Sequence, residues 1–442
     1  MCAFMYSSRR SKLAMDAQIT KRTEKSFKLE IDIPRGSNML DAEELIQQAL
    51  NLGGVIATEE TMKYRDTDGS PIIVCGKKLT SKGLEAKKFQ TPYGSVVVER
   101  HVYQPPQGGS TYVPIDDACR VIGTSTPKFA KMVTSKYACD AAPGVQRDLA
   151  DNHNRPIALS FIKNITDAVG AIAEAKEEKW NYELPDMPRR VHSISVGLDG
   201  TCLNMQDDGW REAMCGTIAF FDKQGERMHT IYTASAPEHG KEKFLTKFVT
   251  EIDRVTSRYP EVPIVGLADG AASNWKFLNP IADVLTIDFW HVSEYLSKAA
   301  KAMYPKKAQN DERWDWLDTA CHRLKHKVGG ATRILNELKA YCASNKPSAK
   351  NQKDLNATIT YLTNNKDKMV YHKNVAANMP IGSGVTEAAC KTLVKQRMCK
   401  GSAKWKDQGA TVVLNLRCLH TTHKRWDSFW NKYVQYGYQE AA

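Results

Sequence analysis

The chain has 442 residues, with 62 Lys and Arg against 50 Asp and Glu, so its formal net charge is +12. This length allows two or three domains, and an apolar fraction of 42% excludes a disordered chain. No apolar run approaches the ~18–20 residues of a membrane-spanning helix, so we expect no membrane contact. The basic surplus favours a polyanionic partner.

Cysteine usage indicates a reducing compartment. The 11 cysteines are scattered as single residues, and no Cys-x-x-Cys pair occurs. Unpaired cysteines in odd number are typical of reduced thiols, and they argue against a secreted disulfide scaffold. The basic N-terminus lacks the apolar centre of a signal peptide. We therefore expect a cytoplasmic protein.

The N-terminal part predicts three regions. Residues 1–40 are a basic segment without a regular pattern, and residues 41–110 predict a helix at 41–52 followed by a β-hairpin. Residues 111–180 have helical periodicity, and we interpret them as a helical DNA-binding region. Two of its short helices could form a helix-turn-helix. A helical subdomain without DNA contact is the alternative.

The middle of the chain predicts an α/β fold. Between residues 191 and 303, three strands are followed by a helix, a strand, a helix, a strand and a helix. This order is the connectivity of the ribonuclease H-like fold, a mixed five-stranded sheet in which the ends of the first and fourth strands lie side by side. Residues 304–379 are helical in pattern, and we interpret them as an all-α insertion.

The C-terminal region, 380–442, predicts a turn at 380–384 and then two helices, the first of which carries Glu387. From residue 379 to the end there are ten Lys and Arg against four Asp and Glu, which is half of the total basic surplus. A concentration of positive charge in one segment is better evidence for a nucleic-acid partner than the net charge of the whole chain.

Three acidic residues have settings that suit a metal site. Asp199 and Asp269 each follow an apolar run and precede a glycine, while Glu387 lies near a helix start. Carboxylates from two neighbouring strands and a helix can hold a pair of divalent cations for cleavage or transfer at a phosphodiester. Taken singly, each residue also fits a turn or a surface position. Together they predict one metal site.

The chain resembles the DDE-class transposases of bacterial insertion sequences, in particular those with a helical insertion before the final glutamate. The resemblance covers about 190–430 and is carried by VGLDG, LADGAASNW, DFWHVSEYL and PIGSGVTEAACKTLVKQRMCKGSAKW. It implies that Asp199, Asp269 and Glu387 are both catalytic and metal-binding, with two Mg²⁺ ions that Mn²⁺ can replace. The implied activity is cleavage at the ends of a mobile element and transfer of the freed 3′-hydroxyl to target DNA.

Further residues are candidates for the same site. The resemblance puts His291 beside the acidic residues, as a catalytic residue, and a helix-capping histidine is the alternative. A basic tract continues past Glu387. A solvated basic face without a ligand is one interpretation of this tract, but we predict DNA contacts there. The predicted DNA-binding residues are Lys391, Lys395, Arg397, Lys400, Lys404, Trp405 and Lys406.

The resemblance also implies that the partner is double-stranded DNA, both element ends and target, bound by a homodimer or larger assembly in a bacterial nucleoid. The chain lacks a GxxxxGK[ST] motif, so we expect no nucleotide cofactor. Two alternatives stay open, a structure-specific nuclease or resolvase with the same fold, and a domesticated DNA-binding protein without catalysis.

Overall fold

The structure is a computed structural model that describes residues 16–176, 179–238 and 241–437. The chain divides into two compact units, one of Met1–Glu174 with Phe429–Ala442 and one of Ala175–Ser428. Residues 1–15 of the predicted basic segment lie outside the described residues. Within the described ranges, no helix has both the length and the apolar character that a bilayer crossing requires.

The first unit starts with an antiparallel hairpin packed on a long helix. These elements are β1 (Ala17–Arg22), β2 (Phe27–Ile31) and α1 (Met39–Lys63). The sequence predicted no regular structure at 1–40 and a helix that ends at residue 52. The structure differs because the side chains of Leu29 and Ile31 lie against Gly53, so close that a Cβ there would collide with them. Because of this packing, α1 continues past Gly53 and Gly54, although glycines weaken a helix locally.

Three antiparallel strands and four helices complete the first unit. They are β3 (Ile72–Val74), β4 (Lys77–Gln90), β5 (Ser95–Gln104), α2 (Pro114–Ala118), α3 (Pro127–Cys139), α4 (Ala142–His153) and α5 (Leu159–Lys176). Phe89 and Val98 of the sheet are buried with Met62 of α1 and Ile115 of α2. The region after residue 111 is helical as predicted, and its role as a DNA reader stays a prediction.

The second unit contains a mixed five-stranded sheet, which confirms the predicted α/β class. Its elements are β6 (Ser193–Met205), β7 (Gly209–Phe221), β8 (Arg227–Ser235), α6 (Glu242–Arg258), β9 (Ile264–Ala268), α7 (Ala272–Leu278), β10 (Val284–Ile287) and α8 (Phe289–Met303). The strand order is β10-β9-β6-β7-β8. Strand β7 pairs antiparallel with both β6 and β8, while β9 pairs parallel with both β6 and β10.

Strand β6 is longer than the apolar run that predicted it. The run ends at Leu198, but antiparallel pairing with β7 continues until Met205 lies opposite Gly209. Parallel pairing with β9 extends only to Gly197, opposite Leu267. The expectation that Asp199 ends its strand is therefore wrong, because only one of the two neighbouring strands stops there.

The segment from 304 to 379 is helical. It contains α9 (Asn310–His326), α10 (Gly330–Ser344), α11 (Ala349–Asn365) and α12 (Tyr371–Ala376), with 3₁₀ turns at Lys307–Gln309 and Lys366–Lys368. Leu324, Leu338 and Leu362 from three of these helices are fully or almost fully buried in one cluster with Val292 and Leu296 of α8. Burial of this shared apolar surface fixes the inserted helices to the helix that follows β10.

The C-terminal stretch contains α13 (Gly384–Ala389), a π-helical segment (Cys390–Lys395), α14 (Gln396–Met398), α15 (Asp407–Thr421) and α16 (Arg425–Tyr436). In the second unit, α13, the π-helical segment and α15 pack on the sheet. On α6, Phe244, Phe248, Ile252 and Val255 are buried with the sheet, and their spacing of three or four residues predicts this apolar stripe. In α16, Arg425 forms a buried bidentate ion pair with Glu251 of α6, with both N–O distances 2.9 Å.

A buried histidine makes stability depend on pH. Burial, together with the charges of Arg425 and His423, lowers the pKa of His229 in β8 from 6.5 to about 4. As the pH falls, the unfolded chain takes up this proton before the folded chain does. Protonation of His229 therefore lowers the free energy of unfolding between about pH 6.5 and about pH 4, by about 3 kcal/mol in all.

We expect His229→Gln to reduce the loss of unfolding free energy between pH ~7 and ~4.5, because Gln has no proton to take up. Urea unfolding of the parent and the variant across this pH range measures the difference. Parallel pH profiles for the two proteins would show that His229 is not held neutral.

Candidate functional site

Asp199 and Asp269 lie at the same edge of the sheet. Gly197 of β6 and Leu267 of β9 are paired in parallel register, and each aspartate comes two residues later. Burial is the largest cause that raises the pKa of Asp199, and the negative charge of Asp269 raises it further. Parallel pairing thus brings two of the three predicted metal ligands near each other.

The carboxylate of Asp199 also contacts the helix that carries Glu387. Its Oδ1 accepts a hydrogen bond from the Gly200 N–H at 2.7 Å, and its Oδ2 accepts one from the Cys390 thiol at 3.6 Å. Cys390 comes three residues after Glu387, nearly one helical turn. Sequence reasoning did not select Cys390, although its helical spacing from Glu387 could have indicated it.

The third acidic residue is positioned by a close helix–strand contact. The Thr386 hydroxyl is 2.7 Å from the Thr217 hydroxyl of β7, and a Cβ at position 197 would lie 2.3 Å from the Thr386 Oγ1. Only glycine at position 197 lets α13 approach β6 this closely. Glu387 itself is exposed. The helix changes to π geometry directly after α13, a distortion frequent at functional sites.

Asp269 holds the turn that follows β9. Its Oδ1 accepts hydrogen bonds from the Ala271 N–H at 3.2 Å and the Asn274 side-chain amide at 3.3 Å. In the described part of the chain, no group donates a hydrogen bond to its Oδ2. The Tyr361 hydroxyl of α11 donates to the Asp269 carbonyl at 3.0 Å, so an inserted helix supports this turn. Asp269 therefore has a turn role and an available carboxylate oxygen.

Asp288 connects the end of β10 to the turn before Glu387. Its Oδ1 accepts from the His291 N–H at 2.8 Å and caps α8, and its Oδ2 accepts from the Ser383 hydroxyl at 2.6 Å and from the Ser383 N–H. Asp288 therefore binds His291 through the backbone N–H of that residue. Asp288 is 2% exposed, so this connection is shielded from water.

His291 lies close to the acidic edge with its ring open to solvent. Its charge, when protonated, lowers the pKa of Asp199, which indicates proximity. The ring is 48% exposed, and its Nδ1 is 3.9 Å from Glu294 Oε2. Since Asp288 caps α8, the alternative of a helix-capping histidine is wrong, and the exposed ring can meet a ligand.

Asp199 and Asp269 lie at one edge of the sheet, and the helical stretch of Glu387 contacts Asp199 through Cys390. Among the described residues, no three Asp, Glu, His or Cys side chains lie close enough together to bind a single metal ion. The donor chemistry nevertheless suits Mg²⁺, which prefers carboxylate oxygens. A divalent cation would also relieve the repulsion between Asp199 and Asp269. The donor groups present are therefore of the type that the predicted ion prefers.

Five of the seven predicted DNA-binding residues are exposed. These are Lys391, Lys395, Lys400, Lys404 and Lys406. Arg397 is 6% exposed, and its guanidinium carbon lies 5.5 Å from the centroid of the Trp405 ring. The Trp405 indole donates to the Met398 carbonyl at 2.8 Å, and its backbone pairs with β6 at Met205. Burial of Arg397 argues against its predicted DNA contact, whereas contact of the half-buried Trp405 with DNA stays a prediction.

No protein-family model matches this chain, and no curated protein is significantly similar to it.

The contact of Thr386 with Gly197 provides a test of how α13 is held. We expect Gly197→Ala to push α13 away from β6 and lower the free energy of unfolding by about 1–3 kcal/mol, because the added methyl group has no room. Urea unfolding measures the change. Gly384→Ala is the matched control, since a Cβ at that position meets no atom within 4 Å. Equal free energies of unfolding for the two variants would contradict the close contact between α13 and β6.

Proposed function

We propose that the chain is a DNA transposase of the DDE class that cleaves at the ends of a mobile element and transfers the 3′-hydroxyl to target DNA. The observation that carries the proposal is the meeting of three elements. Asp199 and Asp269 follow a parallel pair of residues, and the helix of Glu387 contacts Asp199 through Cys390. The same observation supports a ribonuclease H-like fold for the five-stranded sheet, whose order and strand directions fit that connectivity.

In this proposal Asp199, Asp269 and Glu387 would hold Mg²⁺, or Mn²⁺ in its place. The ions would supply charge stabilisation at the scissile phosphate and activation of the attacking oxygen. Asp288 keeps the start of α8 and the Ser383 turn together, so Glu387 stays near the strands during the reaction. The exposed ring of His291 would donate a hydrogen bond to a phosphate oxygen.

The exposed lysines near Glu387 support DNA as the substrate. Positive side chains bind phosphates without reading sequence, and their contribution falls as salt concentration rises. Lys391 and Lys395 follow Glu387 along the same helical stretch. A DNA backbone bound by these lysines would lie beside the carboxylates. We infer that the helices after residue 111 read the element ends and that two copies of the chain act together on DNA.

Conservative replacement of the acidic residues tests the function. We expect Asp199→Asn, Asp269→Asn and Glu387→Gln each to reduce Mg²⁺-dependent cleavage of element-end DNA by more than about 100-fold, because charge stabilisation at the phosphate is lost. Gel shifts in Ca²⁺ should show DNA affinity within about 3-fold of the parent protein, since lysines supply the phosphate contacts.

Glu261→Gln is the control, because this exposed carboxylate precedes β9 and lies at the opposite end of that strand from Asp269. It should cleave as the parent does. Cleavage that persists in any of the three site variants would contradict the assignment. Products joined to target DNA support a transposase, whereas cleavage without joining supports the structure-specific nuclease.

A further inference from the structure

A cavity of about 630 Å³ lies in the second unit next to the acidic edge, between α7, α8 and α11. This volume is within the ~300–1,000 Å³ range of small-molecule sites. Gly270, which directly follows Asp269, lines the cavity. Its φ of +119° favours glycine, and a Cβ there would lie 3.4 Å from the Tyr361 ring. The backbone of the Asp269 turn is therefore one wall of the cavity.

Aromatic rings form a second wall. Tyr361 of α11 and Tyr295 of α8 are stacked with their ring centroids 3.9 Å apart at an interplanar angle of 12°. Trp275 of α7 also lines the cavity, and the Lys368 ammonium lies 5.3 Å from the centroid of its ring. The stacked tyrosines are rigid, because the Tyr361 hydroxyl is bound to the Asp269 carbonyl at 3.0 Å.

Neutral polar groups form the third wall. Asn356, Thr360 and Asn364 line the cavity from one face of α11, since they are four residues apart, and all three are exposed. Their side chains offer both hydrogen-bond donors and acceptors. Among the described side chains that line the cavity, only Lys368 is charged, and none is acidic.

We propose that this cavity receives an unstacked nucleobase of the DNA strand bound at the acidic edge. A base has an aromatic face that stacks on tyrosine or tryptophan and an edge that pairs with amides, and its attached phosphate suits a single lysine. The proposal rests on the proposed function, because the acidic edge must bind a phosphodiester strand. Since Gly270 adjoins Asp269, a base in the cavity belongs to a nucleotide next to the scissile phosphate.

The test measures binding of two duplexes that share the same 2-aminopurine strand by the full chain in Ca²⁺, which is used to limit cleavage. One duplex has a 2-aminopurine opposite an abasic site, so that this base is already unpaired, and the other is fully paired. We expect the unpaired duplex to bind roughly 10-fold more tightly, with its 2-aminopurine fluorescence quenched, because the protein need not break a base pair.

Thr360 is an exposed residue that lines the cavity, so Thr360→Trp should fill the cavity with an indole ring. We expect this variant to bind the two duplexes about equally, with its affinity for the paired duplex unchanged. Thr363→Trp is the matched control, because Thr363 is an exposed residue of α11 that does not line the cavity. Asn364→Leu is a second variant, which removes the amide while leaving the aromatic wall intact, and it should weaken the preference in part.

The failures of the two proposals can be distinguished. Equal binding of both duplexes by the parent, or an undiminished preference in both Thr360→Trp and Asn364→Leu, overturns the base site and leaves the transposase proposal standing. A parent chain that binds neither duplex overturns both proposals.

Discussion

The parallel pairing of β6 with β9 is the constraint on which the arrangement of the site depends. It sets Gly197 opposite Leu267, so the two aspartates that follow emerge at the same level of the sheet. The glycine on β6 also lets Thr386 reach the strand, which brings α13 onto the same edge. A shift of one residue in this register would turn Asp199 to the opposite face of the sheet and separate it from Cys390.

Two long-range contacts connect other segments of the chain to the ends of these strands. Asp288 binds the start of α8 and the Ser383 turn, although 95 residues separate Asp288 from Ser383. Tyr361 reaches the Asp269 carbonyl from α11 across 92 residues. The inserted helices share a buried core with α8, so they support the acidic edge as well as extend it.

The sequence predicted the parts of this structure that depend on local pattern. The order of strands and helices from 191 to 303 and the stripe on α6 follow from apolar periodicity, and the carboxylates were found from their strand and helix settings. Contacts between distant residues were not predictable in this way. β6 extends past Asp199 because β7 pairs with it, and Arg397 is buried because Trp405 joins β6. Trp405 is far in sequence from Met205, with which it pairs, and the β6–β7 hairpin continues through residues that carry no apolar run.

The central claim is that Asp199, Asp269 and Glu387 hold divalent cations together. Anomalous diffraction from crystals of the full chain soaked in Mn²⁺, with an element-end DNA bound, tests it directly. The account predicts anomalous peaks within about 2.0–2.6 Å of carboxylate oxygens from all three residues. Peaks at other residues, or a fully ordered complex with Mn²⁺ bound by fewer than all three, would contradict it.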